Sequence, residues 1–280
     1  MEHNCLRLLS FYLNKPVIKR WTEKGEHVFL DSGAYSAHTK GAQIDVDSYI
    51  DYINGLDDTF TCYAQLDTIP GVFRKPKTKE QLLEAPEVSW KNYIYMRERV
   101  KSPDKLLPIF HQGEDWHNLT RMLDYEPRID YMGISPANDV ATTIKEGWIR
   151  ECFKIIEKSK NPLIKTHAFG MTSLRLLERF PFYSADSTSW IMYAVNGMIM
   201  TQYGPLVASD RKVKDPGHIL NLHPDMGKEL EEYIFELCGW TRQELADDYK
   251  KRLMYNVLFF KRWADNYTYK PKTVSQARLF

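Results

Sequence analysis

The sequence lacks an excess charge of either sign. Its 38 lysines and arginines face 37 aspartates and glutamates, leaving a formal charge of +1 over 280 residues. Global basicity therefore does not advertise a polyanionic partner, and any contact with nucleic acid has to come from a local basic stripe. Cysteine is scarce and scattered: Cys5, Cys62, Cys152 and Cys238 include no Cys-x-x-Cys pair. That spacing excludes the usual zinc ligand sets and argues against a disulfide framework. A reducing, cytoplasmic compartment is the expectation. No run of about 18 apolar residues occurs, so no membrane span is expected. The opening MEHNCLRLLSFYL has no basic segment ahead of an unbroken apolar stretch, and does not read as a signal peptide. Internal repeats and low-complexity tracts are missing too.

What is present is 43% hydrophobic and 13% aromatic residues. That suits one large globular domain, or a domain with a helical appendage. Eight short apolar runs bounded by Gly, Pro, Asp or Ser read as strands: 6–13, 27–30, 61–66, 106–111, 131–135, 163–166, 182–185 and 198–202. Near-continuous apolar runs suit strands buried on both faces, as in a parallel sheet. Helical patterns fall between them, at 16–24 with Pro16 at its first position, 46–56, 79–100 with a break at Pro86, 115–123, 141–158, 172–180 and 187–196. The alternation predicts an α/β fold, and eight strands favour a (β/α)8 TIM barrel. Residues 1–208 would form the barrel. Residues 209–280 would add a basic loop and two helices, 225–237 and 242–267, without a zinc subdomain.

The chemistry gathers where the runs stop. HVFL ends on Asp31, YAQL on Asp67, PIFH on Gln112 and YSA on Asp186, while YMG ends on Gly133 and IKT on His167. In a parallel barrel all of these project from one rim, where barrel enzymes build their sites. Each has a plainer reading beside it. Asp31-Ser32-Gly33 is good turn chemistry, although small Ser32 and Gly33 would also let a ligand approach the backbone. Asp186 would cap the next helix, Asp67 has the same alternative, and Asp139 is taken as a cap. Gln112 would sit in a turn with Asp115 capping a helix, and His167 alone reads as a satisfied core histidine.

Taken in order, these elements resemble one family. Asp-Ser-Gly-Ala-Tyr, Leu-Asp-Thr-Ile-Pro, Ile-Phe-His-Gln-Gly, Tyr-Met-Gly-Ile-Ser, Ala-Phe-Gly-Met-Thr and Ser-Ala-Asp-Ser, spread from Asp31 to Trp190, look like the guanine transglycosylases. Those enzymes exchange guanine in a nucleic acid for a 7-deazaguanine on a TIM barrel. The tRNA-acting members carry a Cys-x-Cys-x-x-Cys run and a later His near the C-terminus. Here only Cys238 lies in that region, and His218 and His223 have no cysteine partners. The departure points to the DNA-guanine transglycosylase branch of phages and bacterial DNA-modification systems.

The resemblance implies roles. Asp186 would be the nucleophile at C1′, in a double displacement like that of retaining glycosidases. Asp31 would handle the proton of the departing and incoming bases. Asp67 would accept from the N1–H and amine of guanine, with Gln112 and the Gly133 N–H donating to O6. Tyr35 would stack on one face of the base and Phe169 on the other; Ser32, Gly33, His167 and Gly170 complete the substrate-binding set. Arg74 and Lys75 (with Lys77), Arg211, Lys212 and Lys214, and the helix with Lys250, Lys251 and Arg252 are the candidates for phosphate contacts, each with an ordinary solvated face as alternative. No cofactor and no metal are expected. The implied partners are DNA, or tRNA as the alternative, and a 7-deazaguanine such as 7-cyano-7-deazaguanine, with a helper ATPase to open the duplex left open. A nucleoside hydrolase and an idle nucleic-acid-binding subunit are the rival classes.

Overall fold

Short apolar runs that end on a polar group become strands, and they run parallel. The computed structural model describes residues 7–137, 139–171 and 173–271. The order begins β1 (Arg7–Ser10), α1 (Phe11–Thr22), β2 (Val28–Asp31), α2 (Ala34–Thr39), α3 (Val46–Gly55), β3 (Phe60–Ala64) and α4 (Lys79–Arg97). It continues β4 (Leu106–Leu107), β5 (Ile109–His111), α5 (Trp116–Asp124), β6 (Tyr131–Ser135), α6 (Thr142–Lys158), β7 (Lys165–Ala168), α7 (Leu174–Arg179) and β8 (Ser184–Ala185). The ladders are β1-β2-β3-β4 and β5-β6-β7-β8, every pairing parallel. Parallel strands need long crossovers, and the intervening helices supply them.

β4 and β5 are one run of chain broken at Pro108, which has no N–H to give to a ladder. Its carbonyl still accepts the Gly133 N–H at 2.8 Å, so the pairing passes across the break. The combined sheet is strongly curled. β2 and β7 stand four ladder steps apart, roughly 19 Å on a flat sheet. Yet the rings of Phe29 on β2 and His167 on β7 have centroids 4.6 Å apart. The interior so enclosed holds Phe29, Cys62, Ala64, Leu107 and Ile109, with Leu8, Tyr131 and Phe169 against them. Strand side chains alternate between faces. Asp31, His111 and His167, each two residues from an interior member on the same run, therefore turn the same way.

The helices depart from expectation in instructive ways. α1 starts at Phe11, because Ser10 Oγ accepts the Leu13 N–H at 3.3 Å and ends the strand early. Pro16 lies inside α1 rather than at its start, and α4 runs through Pro86 behind a Thr78–Gln81 capping box. Asp115 caps α5 as expected, but the residue at the start of α6 is Ala141, not Asp139.

The chain separates into two compact units, the first of residues up to Asp186 together with 269–271 and the second spanning Ser187–Thr268. The second unit contains α8 (Ser189–Val195), β9 (Met198–Thr201), β10 (Gly204–Val207), α9 (Pro224–Cys238), α10 (Arg242–Asp247) and α11 (Tyr249–Asn266). The segment at 198–202, expected as the eighth parallel strand, instead pairs antiparallel with β10. Buried Asn256 of α11 ties this hairpin down, accepting the Met200 N–H at 2.9 Å and donating to the Trp190 and Met198 carbonyls. The long helix expected at 242–267 is split at Asp248, whose carboxylate accepts the N–H groups of Lys250 and Lys251 and so starts a new helix. Among the described residues no helix is long and apolar enough to cross a membrane.

Candidate active site

Because the strands of the first unit are parallel, their C-terminal ends share one edge, and there the carboxylates converge. Asp31 closes β2, and its Oδ2 accepts the Gly33 N–H at 2.9 Å. Burial pushes the Asp31 carboxyl up to about 7, and the charges of Asp67 and Asp186 add to the rise against the opposing N–H groups of Gly33 and Ser32. A carboxyl in that position carries its proton for about half the molecules near neutral pH. Like-charge coupling to both partners joins groups more than 30 and more than 150 residues away in sequence into one electrostatic unit.

Asp67 follows β3 and is held at both oxygens. Gln65 Nε2 donates to Oδ1 at 2.6 Å, and His111 Nε2 lies 3.1 Å from Oδ2. Burial works against a charged His111, but the charge and hydrogen bond of Asp67, with Glu114 behind, lift it to about 9. Burial also raises Glu114 to about 7; His111 opposes that shift and Asp67 reinforces it. Gln65 Oε1 and Glu114 Oε2 are buried with no hydrogen-bond partner among the described residues, leaving acceptor capacity beside Asp67.

Asp186 follows β8. Its Oδ1 accepts the Gly170 N–H at 2.9 Å and lies 3.2 Å from His167 Nε2. It does not cap the next helix: the residue preceding α8 is Thr188, with no side-chain cap bond. His167 is 2% exposed with a partner at each ring nitrogen, Asp186 at Nε2 and Ser184 at Nδ1, which agrees with its plainer reading as a buried, satisfied histidine and places it against Asp186.

Other expected residues fall into place less evenly. Gln112 Oε1 accepts the Ala137 N–H at 3.0 Å, which turns the amide so that its NH2 is the end left to donate. Phe169 packs edge-on against Phe29 and His167, at 5.8 and 4.4 Å, as a wall of the interior. Tyr35 on α2 is 60% exposed. One expectation is corrected. The Gly133 N–H is not free for a ligand, because the ladder bond to Pro108 uses it; a Cβ there would lie 2.4 Å from Phe169 Cε2, so the glycine makes room for that ring. Gly33 is required by its own chain: with φ at 78°, a Cβ would lie 2.2 Å from Ser10 Oγ and 2.7 Å from Tyr12 Cβ. Ser32 is buried, and its Oγ accepts the Ala34 N–H.

Arg74 and Lys75 are exposed on the segment after Asp67, with the Arg74 guanidinium 5.2 Å from the Phe73 ring. Arg211, Lys212 and Lys214 belong to the second unit, where Lys212 Nζ donates to the Asn196 carbonyl at 2.9 Å. The groove between α5 and α6, lined by Thr120, Asp124, Glu151, Lys154 and Lys158, shares no residue with the carboxylate cluster.

Sequence reasoning passed over Gln65, His111, Glu114, Tyr131 and Ser184. Strand parity could have found three of them. His111 is two residues from Ile109, Tyr131 two from Gly133, and Ser184 two from Asp186, so each shares the inward face. Among the described residues no three His, Cys, Asp or Glu side chains converge to hold a metal ion. Compared with protein-family models and with curated proteins, the chain matches none.

Proposed function

We propose that the chain is a DNA-guanine transglycosylase that exchanges guanine in DNA for a 7-deazaguanine through a covalent aspartyl-glycosyl intermediate. The observation that carries this is the convergence of Asp31, Asp67 and Asp186 at the ends of parallel strands, with Asp31 raised to about 7 by burial and further by the other two charges. A scaffold alone gains nothing from crowding like charges at strand tips; retaining glycosyl transfer needs distinct carboxylates for nucleophile and proton transfer. The fold that goes with this function is a (β/α)8 barrel, toward which the first unit supplies seven curled parallel runs, β4 and β5 being one.

In the proposed first step an Asp186 oxygen bonds to C1′ as the C1′–N9 bond breaks. The departing guanine takes that electron pair together with a proton from Asp31. In the second step the Asp31 carboxylate removes the N9 proton of the incoming 7-deazaguanine. That nitrogen attacks C1′, and the Asp186 ester bond breaks, returning the carboxylate with overall retention. Asp67 suits the paired donors of guanine's N1–H and amine, with Gln112 turned to give a donor to O6. Buried polar groups left unpaired by adenine make the selection. A base stacked on Tyr35 gains about 1–3 kcal/mol. Arg74 and Lys75 suit the flanking phosphates, and a duplex target must be flipped out to reach the site.

Incubation with a labelled 7-deazaguanine and either duplex DNA or tRNA, followed by mass spectrometry of nucleosides, tests the proposal. Label in DNA supports it. Label in tRNA alone assigns the chain to RNA, and free guanine released without exchange makes it a hydrolase.

A further inference from the structure

Asp186 Oδ1 is engaged twice, by the Gly170 N–H at 2.9 Å and by His167 Nε2 at 3.2 Å. On the other side of the same imidazole, Nδ1 faces Ser184 Oγ, and Ser184 Oγ in turn contacts the Tyr131 hydroxyl. We propose that His167 is a positioning residue that fixes Asp186 so that Oδ2 is the attacking oxygen, and that Ser184 and Tyr131 reinforce the imidazole tautomer that the Asp186 carboxylate selects. The inference rests on Asp186 being the nucleophile of the transglycosylase function.

The sheet supplies the geometry. His167 is directly opposite Gly133 on β6 and Ser184 on β8, so the groups stand across neighbouring strands at one level. Ser184 and Asp186 are two residues apart and face the same way. Glycine at 133 leaves Phe169, which packs edge-on against the imidazole, the space a side chain would fill. His167 is 2% exposed, so water cannot readily substitute for either partner.

Hydrogen-bond direction follows from the charge at the end of the chain. An ionised Asp186 accepts only, so Nε2 carries the proton. In the neutral ring Nδ1 then holds a lone pair and accepts from Ser184 Oγ–H. Ser184 Oγ accepts from the Tyr131 hydroxyl, and the direction is set from Tyr131 to Asp186 with every group satisfied. An oxygen whose lone pairs already take two donors is poorly placed to bond carbon, which leaves the attack to Oδ2. Among the described residues Oδ2 receives no hydrogen bond.

The first test does not depend on activity. The 15N spectrum of histidine-labelled protein, with the signal of His167 among the eight histidines assigned through His167→Gln, reads the tautomer directly. A neutral ring protonated at Nε2 is expected, shifting toward mixed tautomers in Ser184→Ala. A ring protonated at Nδ1, or doubly protonated at neutral pH, overturns the proposal. The second test follows covalent adduct formation on a guanine-containing DNA oligomer. His167→Leu should slow it on the order of 10²-fold, the scale of a misplaced reacting group, with little change in KM for the free base. His167→Gln keeps a donor near the Nε2 position and should recover most of the rate, with melting temperatures reported for each variant. Equal adduct rates in the unaltered and His167→Leu proteins overturn the positioning role. Absence of adduct from the unaltered protein instead counts against the transglycosylase function, and the spectrum still decides the direction of the hydrogen-bond chain.

Discussion

His111 Nε2 stands 3.1 Å from Asp67 Oδ2, and Glu114 closes the group from behind by accepting the His111 backbone N–H at 3.3 Å. The pair holds the carboxylate proposed to read a purine edge. Removing one partner of such a pair leaves the other uncompensated. His111→Ala should therefore cost about 1–3 kcal/mol in unfolding free energy, measured by denaturant titration, and should raise KM for the incoming base more than it lowers kcat.

The same pair makes stability pH-dependent with a defined sign. His111 is lifted from 6.5 to about 9, so the folded state binds the proton more tightly than the unfolded chain. The stabilisation is complete below 6.5 and is lost as pH rises through about 9. Asp31, also raised, has the same sign lower down, its contribution fading as pH climbs from 3.8 through about 7. Unfolding free energy measured across the alkaline range should fall in the unaltered protein and fall less in His111→Gln.

Asp31 should govern the pH–rate profile. With its carboxyl titrating at about 7, exchange should show an inflection near neutrality that belongs jointly to Asp31 and its neighbouring carboxylates. Asp31→Asn can neither give nor take the proton and should lower exchange by about 10²–10⁴-fold, with the inflection removed. Single-turnover rates over a pH series read both effects.

Gly133 and Phe169 should behave as a packing pair. A methyl at 133 would lie 2.4 Å from Phe169 Cε2 and 3.1 Å from Ile109 Cγ1. Gly133→Ala should cost about 1–3 kcal/mol through overpacking, and adding Phe169→Leu should restore part of that loss. Thermal melting of the single and double variants measures the coupling. Full tolerance of Gly133→Ala would show that the ring moves away freely.

Much of the strand pattern was legible because apolar runs bounded by turn residues carry their own punctuation. Tyr131–Ser135 was read to the residue, and β2 and β3 to within two or so. The strand ends carrying Asp31, Asp67 and Asp186 were visible for the same reason. What sequence could not supply was partnership. His111 looked like the tail of a strand until Asp67 appeared opposite it, and Gly133 looked like an open donor until Pro108 was seen to accept its proton. The segment at Met198 has the composition of a buried strand in either direction, and only its pairing with β10 settles that it turns back. Pro16 misled because a local start signal was overridden by the Ser10 cap, six residues upstream at the start of α1.

The central claim is that Asp186 forms a bond to the sugar while Asp31 manages the proton. The most direct measurement is intact mass, under denaturing conditions, of the protein after reaction with guanine-containing DNA, followed by peptide mapping of the adduct. A DNA adduct carried on Asp186, absent from Asp186→Ala and resolved by adding a 7-deazaguanine, is the predicted result. An adduct on another residue, or one that persists in Asp186→Ala, would contradict it.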